Sequence, residues 1–325
     1  MLIARRVLAL LLVGAACAAL PAFAQAQAWP SKSIQLVVPA AAAGSTDLFA
    51  RKFSQRLEKQ LATSIVIVNK GGGGGSIGTG EVARAAPDGY TLLMGTTGNV
   101  VLNPLTMALN LDPAKELTPV AVVGFVPFAV AVWPGLNVNS VKELVALVKA
   151  SPGKYSYGTN GPAGIIHLIT ELFSQKADLK MVAIPYPGGI TVQQDLISGR
   201  IQVYFDAFNS ALRFHKTGQV KVLATTGGTR MAAAPDIPTV EEAGMPDYVA
   251  ETAFLLMAPA GTAAPVIERL LAATRKVVVE PEFQKELEEM AVRPVLDSNP
   301  KAAAEYIRME HEKWTPIVRS VKAGS

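Results

Sequence analysis

The residues with the strongest chemical potential lie in a glycine run between Gly71 and Gly80. Two enzymatic patterns overlap there. Gly73-Gly-Gly75-Ser-Ile-Gly78 fits the G-x-G-x-x-G turn of a dinucleotide site, set between a strand-like and a helix-like segment. The acidic residue expected after the next strand is missing, because Thr91–Met94 runs into Gly95-Thr96. No Lys-Ser/Thr follows as in a P-loop. Gly74-Gly-Ser76-Ile-Gly78 also fits the nucleophile elbow of a serine hydrolase, with Ser76 as nucleophile. That reading needs a downstream carboxylate and histidine, and none of His167, His215 and His311 sits in a favourable loop. The plainer reading, a loop that needs positive φ at several positions, is preferred. The three histidines are far apart and lack neighbours at ligand spacing, so no metal site is expected. No catalytic residue and no cofactor is assigned.

A different chemistry is carried by the loops that follow strands. Pro39–Asp47 joins the first strand to the first helix and contains Ala40, Gly44, Ser45 and Asp47. Gly95-Thr96-Thr97-Gly98-Asn99 follows the third strand. Gly158-Thr159-Asn160-Gly161 and Pro187-Gly188-Gly189 precede helices in the second half. Helix N-termini offer unsatisfied N–H groups and partial positive charge, so they can hold a carboxylate without arginine. Small residues allow the backbone to approach a ligand closely. One such loop would pass as an ordinary capped turn; four in one chain point to a ligand.

The elements positioning these loops alternate. Ile34–Val38, Ile65–Val68 and Thr91–Met94 read as strands, separated by helices over Thr46–Leu61 and near Ile77–Ala86. Phe49, Phe53, Leu57 and Leu61 form one helical stripe. The order β-α-β-α-β signals a largely parallel sheet covered by helices. The middle repeats this grammar. A strand is expected at Phe128–Trp133, and Ser140-Val-Lys-Glu143 is a capping box opening a helix to Lys149. Further strands are read at Tyr155–Tyr157, Met181–Ile184, Gln202–Phe205 and Lys221–Thr225, with helices between them. Thr252–Ala258 is expected to be a returning strand. The final helix, Lys301–Val318, should bury the face with Ala304, Ile307, His311 and Trp314.

The N-terminus reads as an export signal: Arg5 and Arg6, an apolar run Val7–Leu20, then small residues suited to cleavage by Ala28. This predicts a periplasmic protein. The only cysteine, Cys17, falls inside that run with Gly14 three positions before it, which argues against lipidation. A processed chain would therefore hold no disulfide and no thiol chemistry. The net charge of +4 includes the two signal arginines, and the basic residues are interspersed with acidic ones. No stripe for nucleic acid or membrane is seen. The expected organisation is a signal over 1–28, one lobe from 29–127 and 252–325, and a second lobe from 128–251.

At these residues the sequence resembles the Bug-type extracytoplasmic solute receptors of tripartite tricarboxylate transporters. The resemblance runs through Trp29–Pro39, the Gly44–Asp47 loop, Asn69-Lys70 with the glycines, and Ala86–Gly95. It continues in Asn103-Pro104, Ser151–Tyr155, Pro185–Gly189, Phe205-Asp206, Pro235–Gly244 and Ala258–Gly261. It implies an α/β, two-lobed periplasmic-binding-protein (Venus flytrap) fold, type II-like, with the ligand in the interlobe cleft. It further implies a small carboxylate ligand, delivery to membrane subunits of the transporter, and a monomer. Signalling in place of transport is the alternative role within this fold. Carried over by position, the contacts are Ala40, Gly44, Ser45, Asp47, Thr96 and Thr97 on one side. On the other they are Thr159, Asn160, His167 and Asp206. Asp47 and Asp206 would orient water or accept from loop amides rather than face an anion. One departure stands out: Ala40 replaces a phenylalanine and Ala43 a glycine of the family's first loop. Loss of the ring should widen the pocket, favouring an aromatic or longer dicarboxylate over the smallest acids.

Overall fold

The computed structural model describes residues 29–159, 161, 164–186 and 189–323. The expected signal segment and Asn160 lie outside the described residues. The fold below is that of the compact unit Lys32–Ser325.

Its first half is built on three parallel strands, β1 (Ile34–Val38), β2 (Ile65–Asn69) and β3 (Thr91–Thr96), in the order β2-β1-β3. Register places Val38 opposite Asn69 and Val37 opposite Leu93. The carboxyl ends of all three strands therefore lie together, where ligands bind in open α/β sheets. Between them run α1 (Ser45–Leu61) and α2 (Ser76–Ala83). The predicted stripe of α1 is buried at Phe49, Phe53, Leu57 and Leu61. Phe49 stacks on Phe254 with ring centroids 4.0 Å apart, and Phe53 lies 6.3 Å from Phe283. Two fully buried rings on one face anchor α1, at about 1.5–3 kcal/mol per large apolar side chain.

Two short helices, α3 (Asn103–Thr106) and α4 (Pro113–Glu116), lead into β4 (Leu117–Val132), a strand of 16 residues. The sequence signal marked only its second part as extended. Pro119 and Pro127 break the pattern that identifies a strand, yet a strand tolerates proline at irregularities. The ladder shifts register between Pro119 and Ala121. Over Leu117–Pro127, β4 pairs with β9 (Glu251–Pro259), and β9 pairs with β3. Over Phe128–Val132 it pairs instead with β7 (Val203–Ala207) and β8 (Lys221–Thr225). One strand thus belongs to two sheets.

The second sheet is completed by β5 (Ser156–Thr159) and β6 (Val182–Pro185), parallel to each other. Its helices are α5 (Val141–Lys149), α6 (Ile165–Ala177), α7 (Gly189–Ser198) and α8 (Phe208–Lys216). The capping box is formed: Ser140 Oγ accepts from the Glu143 amide at 3.1 Å, and Glu143 Oε2 accepts from the Asn139 amide at 2.8 Å. The chain returns through β9 to α9 (Ala264–Val278), α10 (Pro281–Glu289), the short β10 (Arg293–Pro294) and α11 (Pro300–Ala323). The buried face of α11 holds Ala303, Ile307, Glu310, Trp314 and Val318, while Ala304 and His311 are exposed. The expected face is therefore shifted at two positions. Glu310 can take the inner position because it accepts from Trp314 Nε1 at 2.7 Å and pairs with Lys313; a buried carboxylate needs such partners.

Candidate functional site

The loop after β1 is fixed at both ends by the core, since Val37, Val38 and Phe49 are fully buried. Between them the chain reverses through Ala43, whose φ of 62° is left-handed. For a residue with a Cβ this conformation costs about 1–2 kcal/mol. Asp47 holds it in place. Its Oδ2 accepts from the Ala43 amide at 2.8 Å and from Arg51 Nε at 2.9 Å, and its Oδ1 accepts from Asn69 Nδ2 at 2.9 Å. Burial by itself would raise the Asp47 pKa, but the Arg51, Asn69 and Ala43 donors outweigh it and keep the carboxyl below its ordinary value of 3.8. Asn69, from the end of β2, also donates to the Ala40 carbonyl at 3.4 Å. This carboxylate is a clamp on the loop and is itself buried.

The clamp presents the start of α1 to solvent. Gly44 is the N-cap and supplies no side-chain acceptor, and the first intrahelical bond runs from Leu48 N to Gly44 O at 2.9 Å. The amides of Ser45, Thr46 and Asp47 have no hydrogen-bond partner among the described residues. In the second half, α6 begins the same way. Gly164 is its N-cap without a side-chain bond, Leu168 N donates to Gly164 O at 3.0 Å, and the amides of Ile165 and Ile166 are without partners among the described residues. Ser45, Thr46 and Ile165 line one cavity of about 190 Å³, together with Thr96, Gly98, Phe128 and Thr252. Two helix N-termini, one from each sheet, thus meet at a single cleft. Each favours an anion by about 0.3–1 kcal/mol when exposed and up to about 2 kcal/mol when partly buried.

A second cavity of about 410 Å³ shares Thr46 and Thr96 with the first. Its walls are Pro39, Ala40, Ala41, Asn99 and four glycines of the run, Gly71, Gly72, Gly74 and Gly75. Gly72 through Gly75 all have positive φ. At Gly75 a Cβ would lie 2.7 Å from the Pro39 carbonyl, so glycine is required there by backbone approach as well as by conformation. The run is a wall of the cleft. Ser76 opens α2, and no hydrogen bond joins it to a histidine among the described residues. Among the described residues neither cavity has a charged residue in its lining. A larger hollow of about 680 Å³ lies elsewhere, along Val141, Lys149, Lys176 and Met245. None of the described residues of the strand-end loops lines it.

The remaining expected residues divide. Thr96 lies at the junction of the two cavities, and its amide donates to Asn99 Oδ1 at 2.9 Å. Thr97 is fully buried, its hydroxyl 2.7 Å from the Tyr306 hydroxyl and accepting from the Ala253 amide at 2.8 Å. That side chain joins β3 to β9 and α11 and does not line the cleft. Thr159 is buried and accepts from the Gly161 amide at 3.1 Å, shaping the turn that leads to α6. His167, in the first turn of α6, lies 4.0 Å from Glu171. Burial lowers its pKa, partly opposed by the Glu171 charge. Asp206 is the last residue but one of β7, accepting from Gln193 Nε2 at 3.0 Å and from the Ala207 amide at 2.8 Å. Burial raises its pKa, against the lowering effect of Gln193, Ser210 and Ala207. Thr159, His167 and Asp206 are not among the described residues that line these two cavities. Reading the sequence missed Thr46, Asn99 and Ile165 as lining residues and Asn69 as the loop's second clamp. A polar residue closing an apolar β-strand, as Asn69 does, was the available signal.

A family model described as the tripartite tricarboxylate transporter family receptor matches residues 49–322. The chain belongs to this family. The receptor is 31% identical over 324 residues to the protein BugT of Bordetella pertussis, covering 98% of each chain. It superposes with a TM-score of 0.77 on a structure described as a periplasmic transporter, at 34% identity, over 90% of this chain and 98% of that one. R. palustris Rpa4515, solved with adipate, gives the same TM-score at 30% identity and the same coverage. The two sheets joined by β4 are accordingly those of the two-lobed periplasmic-binding-protein fold, as the resemblance implied. The receptor's role is solute binding.

Proposed function

We propose that this receptor captures a carboxylate-bearing solute in the periplasm, between the starts of α1 and α6, and passes it to the membrane subunits of a tripartite tricarboxylate transporter. The observation that carries this reading is the pair of uncapped helix N-termini, one from each sheet, lining one uncharged cavity. Backbone amides and hydroxyls from Ser45, Thr46 and Thr96 would take the carboxylate, with Ala40 and Gly44 allowing close approach. Asp47, Thr97, Thr159, His167 and Asp206 would set the geometry of the loops. The lobes divide where β4 changes partners, near Pro127, and where the chain enters β9 at Glu251. A solute that touches both lobes favours the closed arrangement by its differential contacts alone.

The protein acts as a monomeric binder, without cofactor or nucleic acid, and returns its ligand unchanged. The missing ring at Ala40 favours a longer or aromatic dicarboxylate; the relative solved with adipate agrees with that size class. A thermal-shift series against carboxylic acids tests the reading. A ligand at one hundred times its Kd should stabilise by about 2.7 kcal/mol. Ser76→Ala should leave that shift intact, and chromatography should recover the acid unaltered. Consumption of an ester or amide that depends on Ser76 would establish the hydrolase instead. Absence of a shift with every acid would refute carboxylate capture.

A further inference from the structure

We infer that the cleft is a trough of two compartments, the second of which takes the distal acceptor group of an elongated dicarboxylate through the side-chain amide of Asn99. This rests on the capture of a carboxylate at the helix N-termini and names what the other end of the ligand must be. The two cavities meet at Thr46 and Thr96, which line both. Beyond that junction the walls are alanine and glycine with Pro39 and Asn99, so among the described residues no aromatic or long side chain closes the second compartment. The Gly74 carbonyl is held by Asn103 Nδ2 at 2.8 Å, which fixes the glycine wall in place.

Asn99 is 5% exposed and lines this compartment. Its Oδ1 is committed to the Thr96 amide, which settles the orientation of the side chain. Its Nδ2 is thereby turned towards Gly75, 3.2 Å from where a Cβ would stand there. That donor has no acceptor among the described residues. The atom is open to the cleft, where water can reach it, so an acceptor on a bound solute can take that place. Among the described residues the compartment's lining holds no cation. A chain with a carboxylate at each end meets both demands: one end at the helix N-termini, the other at Asn99.

The test compares adipate, hexanoate and succinate by calorimetry on the full receptor. Adipate and hexanoate have equal length, but only adipate carries a distal acceptor. Adipate should bind at least about tenfold more tightly than hexanoate, the scale of a hydrogen bond to a charged group. Asn99→Asp keeps the acceptor for the Thr96 amide and removes the donor. It should cancel that preference while leaving hexanoate within about twofold. Ala40→Phe, which fills the second compartment, should abolish adipate binding and spare succinate. Preference of the wild type for succinate, or equal loss of both six-carbon acids in Asn99→Asp, would overturn the trough while leaving carboxylate capture standing. Failure of every acid to bind would remove both.

Discussion

Removing the Asp47 carboxylate tests how the loop before α1 is held. In Asp47→Ala three hydrogen bonds disappear, from Ala43 N, Arg51 Nε and Asn69 Nδ2. Bonds to a charged acceptor contribute about 1.5–3 kcal/mol each. The Arg51 side chain is 48% exposed, so its share is that of a surface pair, at most about 1 kcal/mol. The Ala43 amide lies in an exposed loop and can rehydrate, which places its share at the low end. Relief of the buried carboxylate's own desolvation offsets part of the loss. The net cost should be about 2–3 kcal/mol, or a melting temperature lower by about 3–5 °C for a chain of this size. Freed from its clamp, Ala43 would leave the left-handed region, and the amides of Ser45 and Thr46 would lose their aim. Ligand affinity should therefore fall at least about tenfold along with stability. Because the folded pKa is depressed, this contribution is complete above the unfolded value and is lost as pH falls through the folded one. The gap between wild type and Asp47→Asn should hold from neutral pH to about pH 4 and shrink only below it. Melting curves and calorimetric titrations at several pH values measure both effects. Destabilisation without loss of affinity would refute the link between the clamp and the site, and an unchanged melting temperature would refute the clamp itself.

Three further outcomes follow from other residues. Ala43→Gly relieves the left-handed alanine at some cost in unfolded-state entropy, and should raise stability by about 0.5–1 kcal/mol; a lower melting temperature would contradict this. His167 has a folded pKa depressed by burial, so its contribution is present above the unfolded pKa of about 6.5 and is lost as pH falls. His167→Gln should therefore flatten the decline of melting temperature between about pH 7 and pH 5, and an unchanged slope would exclude His167 as its source. Glu251→Ala strips the partner from Arg293, 2.8 Å away and partly exposed, and should destabilise by about 2–3 kcal/mol, below the range for a fully buried pair; a change under about 0.5 kcal/mol in chemical denaturation would show that water replaces the carboxylate.

Where local chemistry decided the structure, the sequence disclosed it. The stripe of α1 and the capping box at Ser140 follow from periodicity and from a reciprocal pair of hydrogen bonds, and both are formed. Loops at the carboxyl ends of parallel strands could be located from the strand order. Which side chain of Gly95–Asn99 enters the cleft could not, because Thr97 is drawn inward by Tyr306 and Ala253, residues remote in sequence. The same holds for the inner face of α11, where Glu310 is admitted by partners one turn on. In β4, prolines hid a strand whose partners are supplied by β9 more than a hundred residues later. Tertiary pairing overrides local propensity at such positions.

The shared strand also has a kinetic consequence. The partners of Phe128–Val132, β7 and β8, are complete by Thr225, so this end of β4 can be paired by the next stretch of chain. The Leu117–Pro127 end must wait for Glu251–Pro259, and α1 must wait for Phe254 and Phe283 to cover its rings. Distant contacts form slowly because their loops must close first. During synthesis the middle of the chain should thus gain protection before its beginning does. The nascent first sheet, with an unpaired hydrophobic strand exposed, is the part of this protein most dependent on being shielded until the stretch from Glu251 onwards arrives.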